Sequence, residues 1–499
     1  MAILIGFIII ANKFSMKKII QFLCLSLLFA CTDKLPDTKE IAGTPVIFPD
    51  YTDVTIPCNI APLNFKLNNE VKSIAVLTGI NCTVQIKSNN GDFVIPENKW
   101  HEMVIQSAGD RIACTIYIYE NESWSKYTPF YIHVAKDSID PNLVYRKIAP
   151  GYRMWGKMGI YQRNLESFEE EEILSNRLTN NNCMNCHSFC MQNPDMMLFH
   201  QRSLHGATYI IKNGKMEKLN TKTQELMSAL VYPFWHPSGR YAAFSVNDTK
   251  QDFHHVDANR VEVFDSASDV VVYDMDKHEI VTDSLLLSED NLETFPAFSP
   301  DGKTLYFCSA SAKPMPESFR EVKYSLLALS FDPEKRTFGE KADTLYNATE
   351  MGKSARFPRV SPNGRYVLFT VSDYGNFSIW HKDADLQMID LATNELISLD
   401  AVNSDDVESY HSWSSNSHWF VFSSRRDDGL YTRPYIVHVD EKGVTGKPFL
   451  LPQKSNDYYN DLLFSFNIPE LVKGKVNIDT YELVQLSKYG EAQSLKLSK

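Results

Sequence analysis

Phe295-Pro296-Ala297-Phe298-Ser299-Pro300-Asp301-Gly302-Lys303-Thr304-Leu305-Tyr306-Phe307-Cys308 reads as a short strand, a tight turn and a second strand. Pro300 presets φ for the turn, and Gly302 supplies the position at which φ must be positive. The pattern recurs in both directions along the chain. Tyr232-Pro233-Phe234-Trp235-His236-Pro237-Ser238-Gly239 opens a copy upstream, and Phe357-Pro358-Arg359-Val360-Ser361-Pro362-Asn363-Gly364 opens one downstream. Tyr410-His411-Ser412-Trp413-Ser414-Ser415-Asn416-Ser417 is a weaker fourth. Pro237, Pro300, Pro362 and Ser415 stand about 63, 62 and 53 residues apart, a period that means propeller blades or solenoid units. Further strand pattern follows the copies, as in Ser268-Asp269-Val270-Val271-Val272-Tyr273, so each unit carries four strands.

Two degenerate copies extend the series. Asn193-Pro194-Asp195-Met196-Met197-Leu198-Phe199 fits the turn and second strand, and Leu463-Phe464-Ser465-Phe466-Asn467-Ile468-Pro469 is looser still. Counting both predicts six blades over residues 181–499, with five or seven as alternatives. These copies resemble the TolB-like propeller repeat of bacterial periplasmic proteins over roughly 300 residues. The resemblance implies an all-β propeller that serves binding or scaffolding.

Residues 46–135 alternate in period two, as in Ser73-Ile74-Ala75-Val76-Leu77 and Ile112-Ala113-Cys114-Thr115-Ile116-Tyr117, with turn signals at Asn90-Gly91 and Gly109-Asp110. They predict an immunoglobulin-like β-sandwich. Cys82 and Cys114 fall in neighbouring strand runs, which admits either a disulfide or two free thiols. Residues 136–180 read as a linker with one amphipathic helix, its acidic face supplied by Glu169-Glu170-Glu171-Glu172 beside Phe168, Ile173 and Leu174.

Residues 1–31 read as an export leader. Met16-Lys17-Lys18 followed by the apolar run to Ala30 has signal-peptide proportions, so Met16 is the expected start. Leu28-Phe29-Ala30-Cys31 resembles a bacterial lipobox, which implies acylation at Cys31 and a polar tether over 32–45. The expected location is the cell envelope, anchored to a membrane by lipid. With 62 acidic against 50 basic residues and a formal charge of −12, no basic stripe favours a phosphate backbone, and nucleic acid is not an expected partner.

Cys183-Met184-Asn185-Cys186-His187 matches the Cys-x-x-Cys-His attachment sequence of c-type cytochromes. That resemblance implies one covalent haem c, with thioethers at Cys183 and Cys186 and His187 as proximal iron ligand. His200 or Met197 is the candidate distal ligand; Met191, Met196, Met154 and Met158 are the other nearby donors. A zinc site with Cys190, a thioredoxin-like pair and a plain disulfide are the competing readings. The function expected on this basis is electron transfer or haem-based sensing with an unidentified redox or envelope partner, rather than enzymatic turnover. A scaffold without redox chemistry and a haem peroxidase are the alternatives. A peptidase is the weakest reading, because the sequence has no Gly-x-Ser-x-Gly elbow.

Overall fold

A computed structural model of the chain describes residues 35–149, 156–222 and 226–498. The expected leader with Met16 and Cys31, Met154 and the segment Tyr152 to Trp155 lie outside the described residues. The described chain is all-β, as its alternating pattern demands, and its two longest helices have ten residues each, Glu97–Gln106 and Thr480–Tyr489. Among the described residues no helix is long and apolar enough to cross a membrane.

The N-terminal unit combines a seven-stranded sheet with a three-stranded one. Ser73–Gly79, Arg111–Glu120 and Phe130–Val134 form the centre of the first, and Ile47–Phe48, Phe65–Leu67 and Asp92–Phe93 form the second. Glu97–Gln106 closes their shared core with Trp100, Met103 and Val104, a spacing that puts all three on one helix face. Cys82 lies opposite Gly79 and Cys114 opposite Leu77, and both thiols are free, which settles the disulfide alternative.

Residues 136–180 differ from the expected helical linker. They supply three strands, Asn142–Ile148, Met158–Asn164 and Glu170–Ser175. The acidic run is an edge strand with Glu170, Glu171 and Glu172 exposed and Ile173, Leu174 and Ser175 buried. Its carboxylates take up Tyr145, Lys147, Tyr161 and Lys475, partners that an isolated helix would not meet. Pairing with the strand beside it overrides the local helical pattern.

These three strands join Ser465–Val472, from the far end of the chain, in one antiparallel sheet. Ile148 lies opposite Ser465 and Asn142 opposite Val472. Five further sheets follow in chain order, with innermost strands Met184–Phe189, Leu230–Trp235, Asn291–Phe298, Ser354–Val360 and Glu408–Trp413. The six innermost strands pack each against the next, and Ser465–Val472 returns to Met184–Phe189, so the sheets form a closed ring. Counting around the ring from the sheet of Met184–Phe189 as the first to that of Ser465–Val472 as the sixth, the N-terminal unit shares a continuous core with the fifth and sixth sheets, where Trp419, Phe449 and Phe466 join Tyr51 and Phe65.

Each innermost strand carries the same irregularity. Its pairing register slips across two residues: Cys186-His187, Tyr232-Pro233, Phe295-Pro296, Phe357-Pro358, Tyr410-His411 and Ile468-Pro469. The first residue of every pair has positive φ, from 48° at Tyr410 to 56° at Cys186. A β-bulge repeated at equivalent positions re-aims a side chain where a regular pleat would have turned it into the sheet. For non-glycine residues such a backbone costs roughly 1–3 kcal/mol each and persists only where packing over-determines it.

Candidate functional site

That packing lies at the centre of the ring. The ring of Phe295 stands 4.1 Å from Phe357 and 4.6 Å from Tyr232, and Phe357 stands 5.1 Å from Tyr410. The four side chains converge into an aromatic floor because four different sheets deliver the same bulge position to one place. On one side of the floor is a chamber of about 1050 Å³. On the other, beside the Pro237, Pro300 and Pro362 turns, is a smaller cavity of about 90 Å³.

A hairpin reaches across the mouth of the chamber. Tyr241–Phe253 and Val261–Asp274 remain paired as far as Phe253 opposite Val261, well beyond the length of the other strands. Its tip is tied to the two sheets that follow in the ring, with Asp257 meeting Arg320 of the Asn291–Phe298 sheet at 2.7 Å and Asn259 donating to the Tyr374 hydroxyl of the Ser354–Val360 sheet at 3.2 Å. Glu262, buried on the second arm, accepts from the Tyr374 hydroxyl at 2.6 Å and contacts His254 and His381, each at 3.2 Å.

The chamber is cationic although the chain is acidic. Arg146, Arg202, Lys222, Lys250, Arg359 and Arg425 line it, against one carboxylate, Asp248. Among the described residues, Arg146, Arg202, Lys222, Lys250 and Arg359 form no ion pair with a carboxylate. Arg146 gives one hydrogen bond to the Met184 carbonyl at 3.2 Å, and its Nε has no partner. Burial pushes Arg359 down to about 10. Arg425 stacks on Trp380, its guanidinium carbon 3.3 Å from the ring centroid.

Cys183, Cys186, His187 and His200 all line this chamber. Cys183 and Cys186 are buried free thiols, and burial raises the Cys186 thiol. His187 sits at the floor between the two cavities, with neither ring nitrogen hydrogen-bonded, and burial followed by the charge of Arg146 brings it down to about 3. His200 contacts the Thr208 hydroxyl at 3.2 Å, and burial likewise lowers it to about 3. Met197 points away, into the core with Phe189 and Phe199. Cys190 also turns away, its thiol 3.6 Å from the His236 carbonyl, so the four zinc donors considered do not converge. Cys31 lies outside the described residues.

One chain of groups resembles a hydrolytic triad. Ser372 Oγ is 3.4 Å from His381 Nδ1, whose Nε2 is 3.2 Å from Glu262. Ser372 is fully buried, however; it donates to the Tyr374 carbonyl at 3.0 Å and accepts from Arg356. Its hydroxyl braces the chain and offers no nucleophile to the chamber.

Arg146, Arg202, Lys222, Lys250, Arg359 and Arg425 come from separate stretches, and only Arg359 falls within a quoted repeat copy. No motif spacing connects them; the one accessible signal was that repeat, which places Arg359 next to the bulge pair Phe357-Pro358.

No protein-family model matches the sequence, and no curated protein does. Solved structures that resemble the chain include prolyl oligopeptidase B from Galerina marginata, 11% identical over 68% of this chain and 42% of that one, with a TM-score of 0.36. A puromycin-hydrolyzing peptidase of Mycobacterium tuberculosis is 10% identical over 83% and 57%, with a TM-score of 0.33. Dipeptidyl peptidase 4 of Porphyromonas gingivalis is 9% identical over 82% and 60%, with a TM-score of 0.26. The chain spans about two fifths to three fifths of the length of these enzymes.

These neighbours are peptidases and not c-type cytochromes, and they correct the cytochrome reading. The resemblance to a TolB-like lipoprotein bearing haem c at Cys183, Cys186 and His187, with His200 or Met197 as distal ligand, is withdrawn. So are electron transfer, haem sensing and peroxidase chemistry. The expectation of a chain that is not an enzyme is withdrawn with them. The fold supplies a physical reason for the misreading. Cys186-His187 occupies, in the first sheet, the position held by Tyr232-Pro233 and Phe295-Pro296 in the next two, so its form answers to the repeat.

Proposed function

We propose that the six sheets are the blades of a six-bladed β-propeller and that its central chamber binds an organic anion. The observation that carries this reading is the group of five chamber cations without carboxylate partners, above an aromatic floor. Arg146 is buried and Arg359 half-buried, and a cation held out of water without an ion-pair partner is costly, whereas Arg202, Lys222 and Lys250 are exposed and add positive charge around them; an entering carboxylate or phosphate gains charge-assisted hydrogen bonds from both groups. The floor of Tyr232, Phe295, Phe357 and Tyr410 suits an apolar or planar body attached to the anionic group. The whole chain carries a net charge of −12, so the surface outside the chamber repels anions and the positive chamber is the place that selects them. A lipid tether at Cys31, holding the chamber at a membrane surface, is part of the same proposal.

Fluorescence titration with 8-anilinonaphthalene-1-sulfonate, an aromatic anion, tests the chamber. Saturable one-to-one binding is expected, weakening with added salt and falling roughly tenfold in Arg202→Gln, the loss of one charge-assisted hydrogen bond worth about 1.5 kcal/mol. Unchanged affinity in both Arg202→Gln and Arg146→Gln would overturn the reading.

A further inference from the structure

A second cluster lies where the N-terminal unit meets the fifth sheet. Asp137 follows the strand Phe130–Val134; His418 precedes Trp419–Ser424, and His438 ends Arg433–His438. One ligand atom from each of the three side chains lies within 4.8 Å of the other two.

The local structure prepares these groups. The two imidazoles stack with centroids 6.5 Å apart and planes inclined by 17°. His418 Nδ1 lies 3.2 Å from the Val439 carbonyl, which can only accept, so Nδ1 carries the proton and Nε2 keeps its lone pair. A backbone carbonyl that fixes the tautomer in this way is the usual second support of a metal-bound histidine. His438 Nε2 is buried with no hydrogen-bond partner, and the nearest carboxylate oxygen, Asp137 Oδ2, is 4.0 Å away. That separation is too long for a hydrogen bond. It is close to the roughly 3.3–3.6 Å between two donors of one tetrahedral zinc, given bonds of about 2.0–2.2 Å.

Asp137 is held in place from its C-terminal side. The Ser138 carbonyl accepts from Asn416 at 2.7 Å, and Asp140 accepts from the Ser415 amide at 2.7 Å and hydroxyl at 2.6 Å. Those contacts fix the segment to the turn that leads into His418, so the carboxylate meets the histidines without loop closure. A cavity of about 340 Å³ beside His438, lined also by Asp110 and His133, leaves room for water at a fourth position.

We propose that Asp137, His418 and His438 bind one divalent transition-metal ion, with zinc the best match to two imidazoles, one carboxylate and an open position. The ion would bridge the N-terminal unit and the ring. Because the three donors come together only in the folded chain, its binding would stabilise their junction.

The full chain, stripped with a chelator and dialysed, is titrated with zinc chloride by calorimetry and with cobalt(II) by visible absorption. Expected are one ion per chain, a visible cobalt band without thiolate charge transfer, and a higher melting temperature with zinc. Asp137→Asn and His418→Gln should each weaken binding at least tenfold, and Cys183→Ser with Cys186→Ser should leave it unchanged. Asp137 is partly exposed, so its variant keeps the test valid if a histidine variant folds poorly. Absence of zinc binding, unchanged affinity in both donor variants, or a cobalt spectrum with thiolate charge transfer would overturn the proposal.

Discussion

The imidazole of His236 covers Gly302: Nε2 is 3.0 Å from the Gly302 carbonyl oxygen, and a Cβ on Gly302 would fall 2.2 Å from that nitrogen. The Ser238 amide donates to His236 Nδ1 at 3.2 Å, so Nε2 carries the proton and donates across to the neighbouring sheet. Gly302 also has φ of +72°. Gly302→Ala therefore meets both a clash and a disfavoured backbone. Gly364, with φ of +74°, has nothing within 4 Å of its would-be Cβ. Chemical denaturation should show a loss of about 1 kcal/mol for Gly364→Ala and roughly 3 kcal/mol for Gly302→Ala. Equal losses would mean that the histidine contact contributes nothing.

His187 stands at a position where four of the six innermost strands have proline. Its backbone amide is therefore dispensable to the bulge. His187→Pro should fold and lose no more than about 2 kcal/mol by urea denaturation, whereas proline in a regular central strand forfeits a ladder hydrogen bond. Failure of this variant to fold would show that the first sheet does not follow the repeat.

Burial holds His187, His200 and His411 down at about 3. The unfolded chain takes up protons near 6.5 that the fold refuses. Each of these histidines thus contributes stability that is complete above about pH 6.5 and is lost as pH falls toward 3. The urea midpoint should decline between pH 6.5 and 4.5 by the equivalent of about 1–2 kcal/mol per histidine, and His187→Pro should flatten that decline.

Glu470 works with the opposite sign. Burial pushes it up to about 8, against the Phe189 amide at 2.9 Å and the charge of Arg359. The fold keeps a proton that the unfolded chain releases near 4.5, so this contribution is complete below pH 4.5 and is lost as pH rises through 8. Glu470→Gln retains an acceptor for Phe189 and removes the titration. Its melting temperature should exceed that of the parent chain by a few degrees at pH 9 and match it at pH 5. A constant difference across that range would place the proton elsewhere.

The strand Ser465–Val472 closes the ring against Asn142–Ile148, about 320 residues earlier. A chain ending at residue 464 would leave that edge unpaired and open the chamber wall that Asn467 and Ile468 help to form. Limited proteolysis of this truncated chain should cut within 142–175 at least tenfold faster than in the full chain, and its unfolding should lose cooperativity.

Much of the all-β organisation could be read directly from the chain, and the reason is local. Pro300-Asp301-Gly302 makes a turn because its own φ preferences require one, and period-two alternation in Leu305-Tyr306-Phe307 makes a strand because one face is covered. Glu169 to Leu174 went the other way. A helical pattern became an edge strand because the deciding partner, Met158–Asn164, was already in place beside it.

The site depended on more than such local rules. By itself the sequence determined strands, turns and their spacing, since these follow from backbone preferences within a dozen residues. Only the tertiary structure decided that Cys186-His187 is one copy of a bulge whose other copies read Tyr-Pro, Phe-Pro, Tyr-His and Ile-Pro. It also gathered Arg146, Arg202, Arg359 and Arg425 around one chamber and set Asp137 against His418 and His438. Those residues lie up to some 300 positions apart, and charge and metal-binding capacity arise from distances in space that no sequence spacing encodes.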